Sequence, residues 1–228
     1  MDYTCNDIAK MIDHSLLKPQ LTDDEIIAGC EVAKKYNTAT VCCPPAALAM
    51  VVKQLAGTDI KPTTVIGFPH GYNKTETKLF EAEQALLDGA KELDMVINIS
   101  KLKSGDFDYV GNEVRAVVAL AHKNNCLVKV ILENYYLTDE QKEKACRLCE
   151  NAGADFVKTS TGFAGGGATI EDLKLMRKTV SDKVQVKAAG GVRTLDKALE
   201  VREIGCTRFG ATATEAIMEE CYKRKTKK

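Results

Sequence analysis

Two lysines and one aspartate carry the most distinctive chemistry in this sequence: Lys158 in Phe-Val-Lys, Lys187 in Val-Gln-Val-Lys, and Asp94 in Glu-Leu-Asp-Met. A lysine at its ordinary pKa of about 10.4 is neutral in only about one molecule in 2,500 at pH 7. Only the neutral amine attacks a carbonyl. A second ammonium about 5 Å away, at an effective dielectric near 20, opposes protonation by roughly 3 kcal/mol. That raises the neutral fraction by about two orders of magnitude. A lysine activated this way forms Schiff bases, and an aspartate beside it moves protons. The trio predicts making or breaking a carbon–carbon bond through a lysine Schiff base.

Glycines gather a short distance downstream of each of three apolar runs: Gly162-Phe-Ala-Gly-Gly-Gly167, Gly190-Gly191 and Gly210. Glycine lets backbone N–H groups approach an anion closely, so three such turns at neighbouring strand ends predict a phosphate seat. Arg193 adds a charge to it and Thr212 a hydroxyl. No Gly-x-Gly-x-x-Gly follows an early strand, so the dinucleotide-binding reading fails.

These side chains need elements that aim them inward. Short β-branched runs alternate with amphipathic helical stretches, the pattern of a parallel sheet. The strand candidates are 11–16, 38–43, 63–67, 92–98, 127–133, 155–159, 184–188 and 206–210. Eight such units predict a single-domain (β/α)8 TIM barrel over residues 1–222, with a basic, solvated tail at 223–228. Thr22-Asp-Asp-Glu25 and Thr138-Asp-Glu-Gln141 read as helix-starting capping boxes. Gly89, Gly153 and Gly205 read as helix ends leading into strands. Along the strands, Leu93, Met95, Val128, Val130, Val157 and Val186 form the face that packs on helices. Asp94, Asn98, Lys129, Glu133, Lys158, Gln185 and Lys187 form the face that points into the barrel. For Lys129 and Glu133 a structural ion-pair network competes with a role in the site, because buried charges need partners.

Composition narrows the classes. The 32 basic and 32 acidic residues cancel, leaving no global field for nucleic acid or an anionic membrane. No apolar run approaches the roughly 20 residues of a membrane span, and Met1 to Lys10 lacks the layout of a signal peptide. The chain is expected to be soluble and cytoplasmic. Its nine cysteines are scattered and odd in number, so they are expected to be free, reduced, buried thiols. Cys146-x-x-Cys149 falls mid-helix with no second pair, and the three histidines are far apart, so no metal site is expected.

The chain resembles the deoxyribose-phosphate aldolase family over nearly its whole length. The likeness lies in Ile12-Asp-His-Ser-Leu-Leu17, Val41-Cys42, Val65-Ile-Gly-Phe-Pro69 and Glu92-Leu-Asp-Met-Val-Ile-Asn98. It continues in Lys129-Val-Ile-Leu-Glu133, Phe156-Val-Lys-Thr-Ser-Thr-Gly162 and Val186-Lys-Ala-Ala-Gly-Gly-Val-Arg193. The resemblance implies reversible cleavage of 2-deoxy-D-ribose 5-phosphate to acetaldehyde and D-glyceraldehyde 3-phosphate, without metal or organic cofactor. It implies Lys158 as the Schiff-base lysine, Lys187 as the lysine that tunes it and Asp94 as the proton-transfer carboxylate. Asp13, Ser15, Leu17 and Cys42 match positions near the substrate. Gly162, Gly190, Gly191, Arg193, Gly210 and Thr212 fall on the phosphate stretches. The implied partners are phosphosugar and aldehyde substrates, with a homodimer or homotetramer possible. Departures are Ala213, where a serine is usual, and Pro44 or Pro45, where an asparagine is common. The C-terminal end has no clear counterpart of a terminal tyrosine found in longer members; Tyr222 is a poor candidate. Other enzyme readings are a Schiff-base aldolase or transaldolase acting on a different phosphosugar, separable by products. A non-catalytic sugar-phosphate-binding barrel is the reading from another class, disfavoured because binding alone does not need paired lysines.

Overall fold

The computed structural model describes residues 3–226. Eight parallel strands close into a barrel in chain order, with β8 returning to β1. They are β1 (Ile12–Ser15), β2 (Thr40–Cys43), β3 (Lys61–Ile66), β4 (Glu92–Val96), β5 (Leu127–Ile131), β6 (Phe156–Lys158), β7 (Gln185–Ala188) and β8 (Arg208–Ala211). All eight expected strands are present, and their ends move by a few residues. Two of these moves matter. Asn98 and Glu133, expected to continue the inward polar faces, lie beyond the ends of β4 and β5. Asn98 instead caps the short helix α5 (Ile99–Lys103), its side chain accepting from Lys101 N–H. Gln185 sits at the outer start of β7 and donates to the Asp182 carbonyl.

The helices between strands follow from the same patterning. In α2 (Asp23–Tyr36) and α7 (Asp139–Asn151) both expected capping boxes form, each threonine accepting from the residue three positions on. Gly89, Gly153 and Gly205 all take positive φ just past helix ends. Helix α6 (Phe107–Lys123) buries Val110, Val114, Val117, Val118 and Ala121, the 3.6-residue period that makes one apolar stripe. This stripe belongs to the same core as Leu93, Met95, Val128, Val130 and Val157 of β4 to β6, all fully buried. Each such side chain contributes about 1.5–3 kcal/mol by leaving water.

One ion pair lies inside this apolar layer. Lys78 of α4 (Thr75–Leu87) meets Glu113 of α6 at 2.8 Å, both side chains fully buried. Lys78 also donates to the Val96 carbonyl at 2.7 Å, and Glu113 accepts from Asn98 N–H at 3.0 Å. The pair thus ties two helices to the end of β4, the strand that carries Asp94.

Two expectations fail at the chain ends. Cys5 of α1 (Cys5–Ala9) and Cys221 of α10 (Thr214–Thr226) form a disulfide with their Cα atoms 5.8 Å apart, whereas the other seven cysteines are free and buried. Scattered positions hid the pairing: the barrel closure brings α1 against α10, so residues 216 apart become neighbours. The basic tail also begins as ordered helix. Arg224 pairs with Asp196 at 2.6 Å and Glu220 at 2.8 Å, and Lys225 lies over the Tyr3 ring. Lys227 and Lys228, like Met1 and Asp2, lie outside the described residues. Among the described residues no helix is long and apolar enough to cross a membrane.

Candidate active site

Parallel register builds the centre of the barrel. Lys158 and Lys187 are direct Cα partners on β6 and β7, and Asp94 and Lys129 are partners on β4 and β5. Asp13 of β1 partners Gly210 of β8. Because partnered residues in parallel strands point to the same face, five charged side chains converge on one interior.

Asp94 is the hub. Its Oδ2 accepts from Lys158 at 2.6 Å and from Lys187 at 2.8 Å, and its Oδ1 accepts from Lys129 at 2.9 Å. Lys187 also contacts Asp13 Oδ2, and Lys129 contacts Asp13 at 3.4 Å and Glu92. Arg208 of β8 closes the network from below, reaching Asp13 at 2.7 Å and Glu92 at 3.0 and 3.1 Å. The cations are Lys129, Lys158, Lys187 and Arg208; the carboxylates are Asp13, Glu92 and Asp94. With every group ionised the cluster holds one unmatched positive charge. With Lys158 neutral it balances.

Electrostatics single out the same residue. Burial pushes the Lys158 pKa down, Lys187 adds to the effect, and Asp94 opposes it. Lys187 goes the other way: burial works against its charge, but Asp13 and Asp94 outweigh burial and hold the pKa above the usual lysine range. Lys129 is held higher still, with Asp13, Asp94 and Glu92 overcoming burial. Asp94 is buried too, yet Lys129, Lys158 and Lys187 keep its carboxyl well below the ordinary range. The second lysine acts in the expected direction, and burial acts with it as the larger cause.

The two lysines open into a cavity of about 440 Å³. Asp13, Ser15, Leu17 and Cys42 line it from β1, β2 and the loop after β1. Gly162, Gly190, Gly191, Arg193 and Thr212 line it from the loops after β6, β7 and β8, and Gly210 lines it from β8 itself. Every expected substrate- and phosphate-site residue is therefore in one cavity, with Asp94 behind the lysines. Gly190 has φ +80°, and a Cβ there would come within 2.8 Å of the Gly167 Cα, so glycine alone permits the two loops to touch. The long glycine run is not all phosphate seat. Gly165 and Gly166 pack under the Tyr135 ring, where a Cβ would sit 2.7–2.8 Å from ring atoms.

Of the two readings open for Lys129 and Glu133, the ion-pair network holds for Lys129, whereas Glu133 stands outside it. It sits beyond the end of β5 at φ 55°, ψ 64°, a left-handed conformation that breaks the strand's alternation. There it accepts from Thr161 N–H at 3.1 Å and from the Thr161 hydroxyl. Glu92, Arg208, Thr161 and Lys18, which also lines the cavity, were not singled out from the sequence. The Phe156–Lys158 alternation points Phe156 to the same face as Lys158, and nothing local marks Arg208 as inward.

The chain matches the model of the DeoC/LacD family aldolases over residues 8–214. A deoxyribose-phosphate aldolase of Thermoanaerobacter sp. is 55% identical over 96% of this chain and 98% of the relative. That of Rhodopirellula baltica is 49% identical over 98% and 92%. A solved structure of the deoxyribose phosphate aldolase from Aeropyrum pernix, with a unique tetrameric structure, superposes with a TM-score of 0.89 at 30% identity, covering 95% of this chain and 92% of that one. Fold, cavity and comparisons agree, and the chain belongs to the DeoC/LacD family of aldolases.

Proposed function

We propose that this aldolase reversibly cleaves 2-deoxy-D-ribose 5-phosphate to acetaldehyde and D-glyceraldehyde 3-phosphate through a Schiff base on Lys158. The observation that carries the reading is that Lys158 is the one cation of the buried cluster whose charge is disfavoured, and it faces a cavity that Gly190, Gly191 and Arg193 also line.

In this reading the amine of Lys158 adds to the C1 aldehyde of the open sugar and loses water to give an iminium. Asp94, held in place by Lys187, takes the C3 hydroxyl proton, the C2–C3 bond breaks, and its electrons flow to the iminium nitrogen. D-glyceraldehyde 3-phosphate leaves, the enamine gains a proton at carbon, and water releases acetaldehyde. Ser15, Leu17 and Cys42 shape the wall around the sugar, while Asp13 holds Lys187 in place. The glycine loops, Arg193 and Thr212 hold the phosphate. Thr212 supplies a hydroxyl where Ala213 has none. The lysine serves as electron sink, so activity is expected to survive exhaustive chelation.

The proposal extends to a cytoplasmic enzyme, where seven unpaired thiols stay reduced, with Cys5–Cys221 as the exception. It also extends to a homodimer or homotetramer, in keeping with the tetrameric relative. The decisive test is borohydride reduction in the presence of acetaldehyde, followed by peptide mapping. A tag on Lys158 is expected; a tag on Lys187 or Lys129 would refute the assignment.

A further inference from the structure

Lys158 and the Gly190-Gly191 turn must stand at a fixed separation if one sugar is to reach both, yet the turn is made of mobile residues. Gly190 and Gly191 both take positive φ, +80° and +96°, and glycine has the widest conformational freedom of any residue. What holds the turn lies behind it. Thr159 follows Lys158 directly, is fully buried and does not line the cavity. Its N–H donates to the Lys187 carbonyl at 3.2 Å, the last backbone rung between β6 and β7.

The rung after it is made by a side chain. In a parallel ladder the Ala189 N–H would next bond to the Thr159 carbonyl. That carbonyl has turned to the end of β5, where it accepts from Asn134 N–H at 2.9 Å. The Thr159 hydroxyl takes its place, accepting from Ala189 N–H at 3.0 Å and donating to the Ala189 carbonyl at 3.1 Å. Ala189 immediately precedes Gly190 and lines the cavity. From the other side, Ala168 N–H reaches the Ala189 and Gly190 carbonyls at 2.9 and 3.0 Å. That contact is made by backbone, which any residue but proline would supply. Among the described residues, Thr159 is the only side chain that hydrogen-bonds from the end of β6 to the loop after β7.

We infer that Thr159 is a positioning residue whose hydroxyl fixes the Gly190-Gly191 turn relative to the Lys158 amine and so sets the preference for a phosphorylated sugar over a free one. The inference rests on the Schiff-base and phosphate-seat reading above. Backbone N–H groups bind an anion well only when they are already aimed at it, because ordering them on binding consumes affinity. Thr159 supplies that order without touching substrate. Valine in its place keeps the branched shape at this buried position but leaves the Ala189 N–H without a partner, which loosens the turn.

The test compares 2-deoxy-D-ribose 5-phosphate with free 2-deoxy-D-ribose as substrates. In Thr159→Val the KM for the phosphosugar should rise about ten-fold, while kcat/KM for the free sugar changes by less than about three-fold. The pH profile of borohydride trapping on Lys158 should stay in place with acetaldehyde, which carries no phosphate. Thr159→Ser keeps the hydroxyl and should retain most of the wild-type preference. Thr159→Ala, which crowds nothing, makes the same comparison if the valine variant does not fold. Equal losses on both sugars, or a displaced trapping profile, would overturn the inference and leave Thr159 a structural residue of the Lys158 strand. So would an unchanged preference in folded Thr159→Val or Thr159→Ala, or a Thr159→Ser variant as indifferent to phosphate as either. A wild type that takes both sugars equally well, with Arg193→Ala making no difference, is a separate result, and it would sink the phosphate seat itself.

Discussion

Lys158 and Lys187 donate to the same oxygen, Asp94 Oδ2, from directly partnered positions on adjacent strands. They therefore compete for one acceptor, and Lys187, with Asp13 on its other side, is the better placed. Replacing Lys187 by leucine removes a nearby positive charge and leaves Asp94 free to hold Lys158 more tightly. Both changes favour the protonated form of Lys158. The acid limb of borohydride trapping with acetaldehyde should therefore move to higher pH. Activity at pH 7 should fall on the order of ten- to a hundred-fold, with the deficit shrinking as pH rises. An unmoved or lowered limb would mean that burial alone activates Lys158.

Asp94→Asn tests the hub from the other side. Three buried ammoniums lose their shared anion, so a stability loss of about 3–5 kcal/mol is expected from unpaired buried charge. Loss of proton transfer should lower kcat by about two to four orders of magnitude. Denaturant melts and steady-state kinetics on the same preparation separate the two effects. A variant that is inactive but as stable as wild type would show that the cluster contributes nothing net to the fold.

How much of this was legible in the sequence depends on how local each relationship is. Alternation along β4 to β7 placed Asp94, Lys158 and Lys187 inward correctly, because the period of two is a property of each strand alone. The partnership of Lys158 with Lys187 needed only that neighbouring strands be in register. Arg208 and Glu92 were missed because their roles arise only when β8 closes onto β1 and the lower ends of distant strands meet. Glu133 was misplaced because one left-handed residue ends the alternation, and no glycine or asparagine marks the spot.

His14 gives a pH signature unrelated to catalysis. It is buried with Nδ1 2.8 Å from the Thr214 hydroxyl and, among the described residues, no partner for Nε2, and burial lowers its pKa to about 4. The unfolded chain takes up this proton near pH 6.5 and the folded chain only near pH 4, so between those values the unfolded state binds more protons. Stability should fall with acidification by about 1.4 kcal/mol per pH unit in that window, or about 2 kcal/mol by pH 5. Urea midpoints at pH 7 and pH 5 should differ accordingly in the wild type and much less in His14→Gln. Equal differences would assign the loss to other groups. The buried carboxylates Asp13 and Asp94, with lowered pKa values, act in a separate window below about pH 4.

The Lys78–Glu113 pair makes a prediction about asymmetry. Lys78→Met leaves Glu113 buried without its counter-ion and should cost about 3–5 kcal/mol. Lys78→Met combined with Glu113→Leu removes both charges and should recover most of that loss, leaving mainly the hydrogen bonds to Val96 and Asn98 unmade. Thermal melts of the two variants decide it. A double variant no more stable than the single would mean that the backbone contacts, not the charge balance, account for the cost.

The Cys5–Cys221 bond gives the barrel a second kind of closure. Hydrogen bonds make the sheet continuous from β8 to β1; the disulfide makes the covalent chain from residue 5 to residue 221 a ring. A ring must be cut twice before any part of it can leave. Protease nicking within the glycine-rich 164–167 turn should therefore leave one linked molecule that separates into fragments only after reduction.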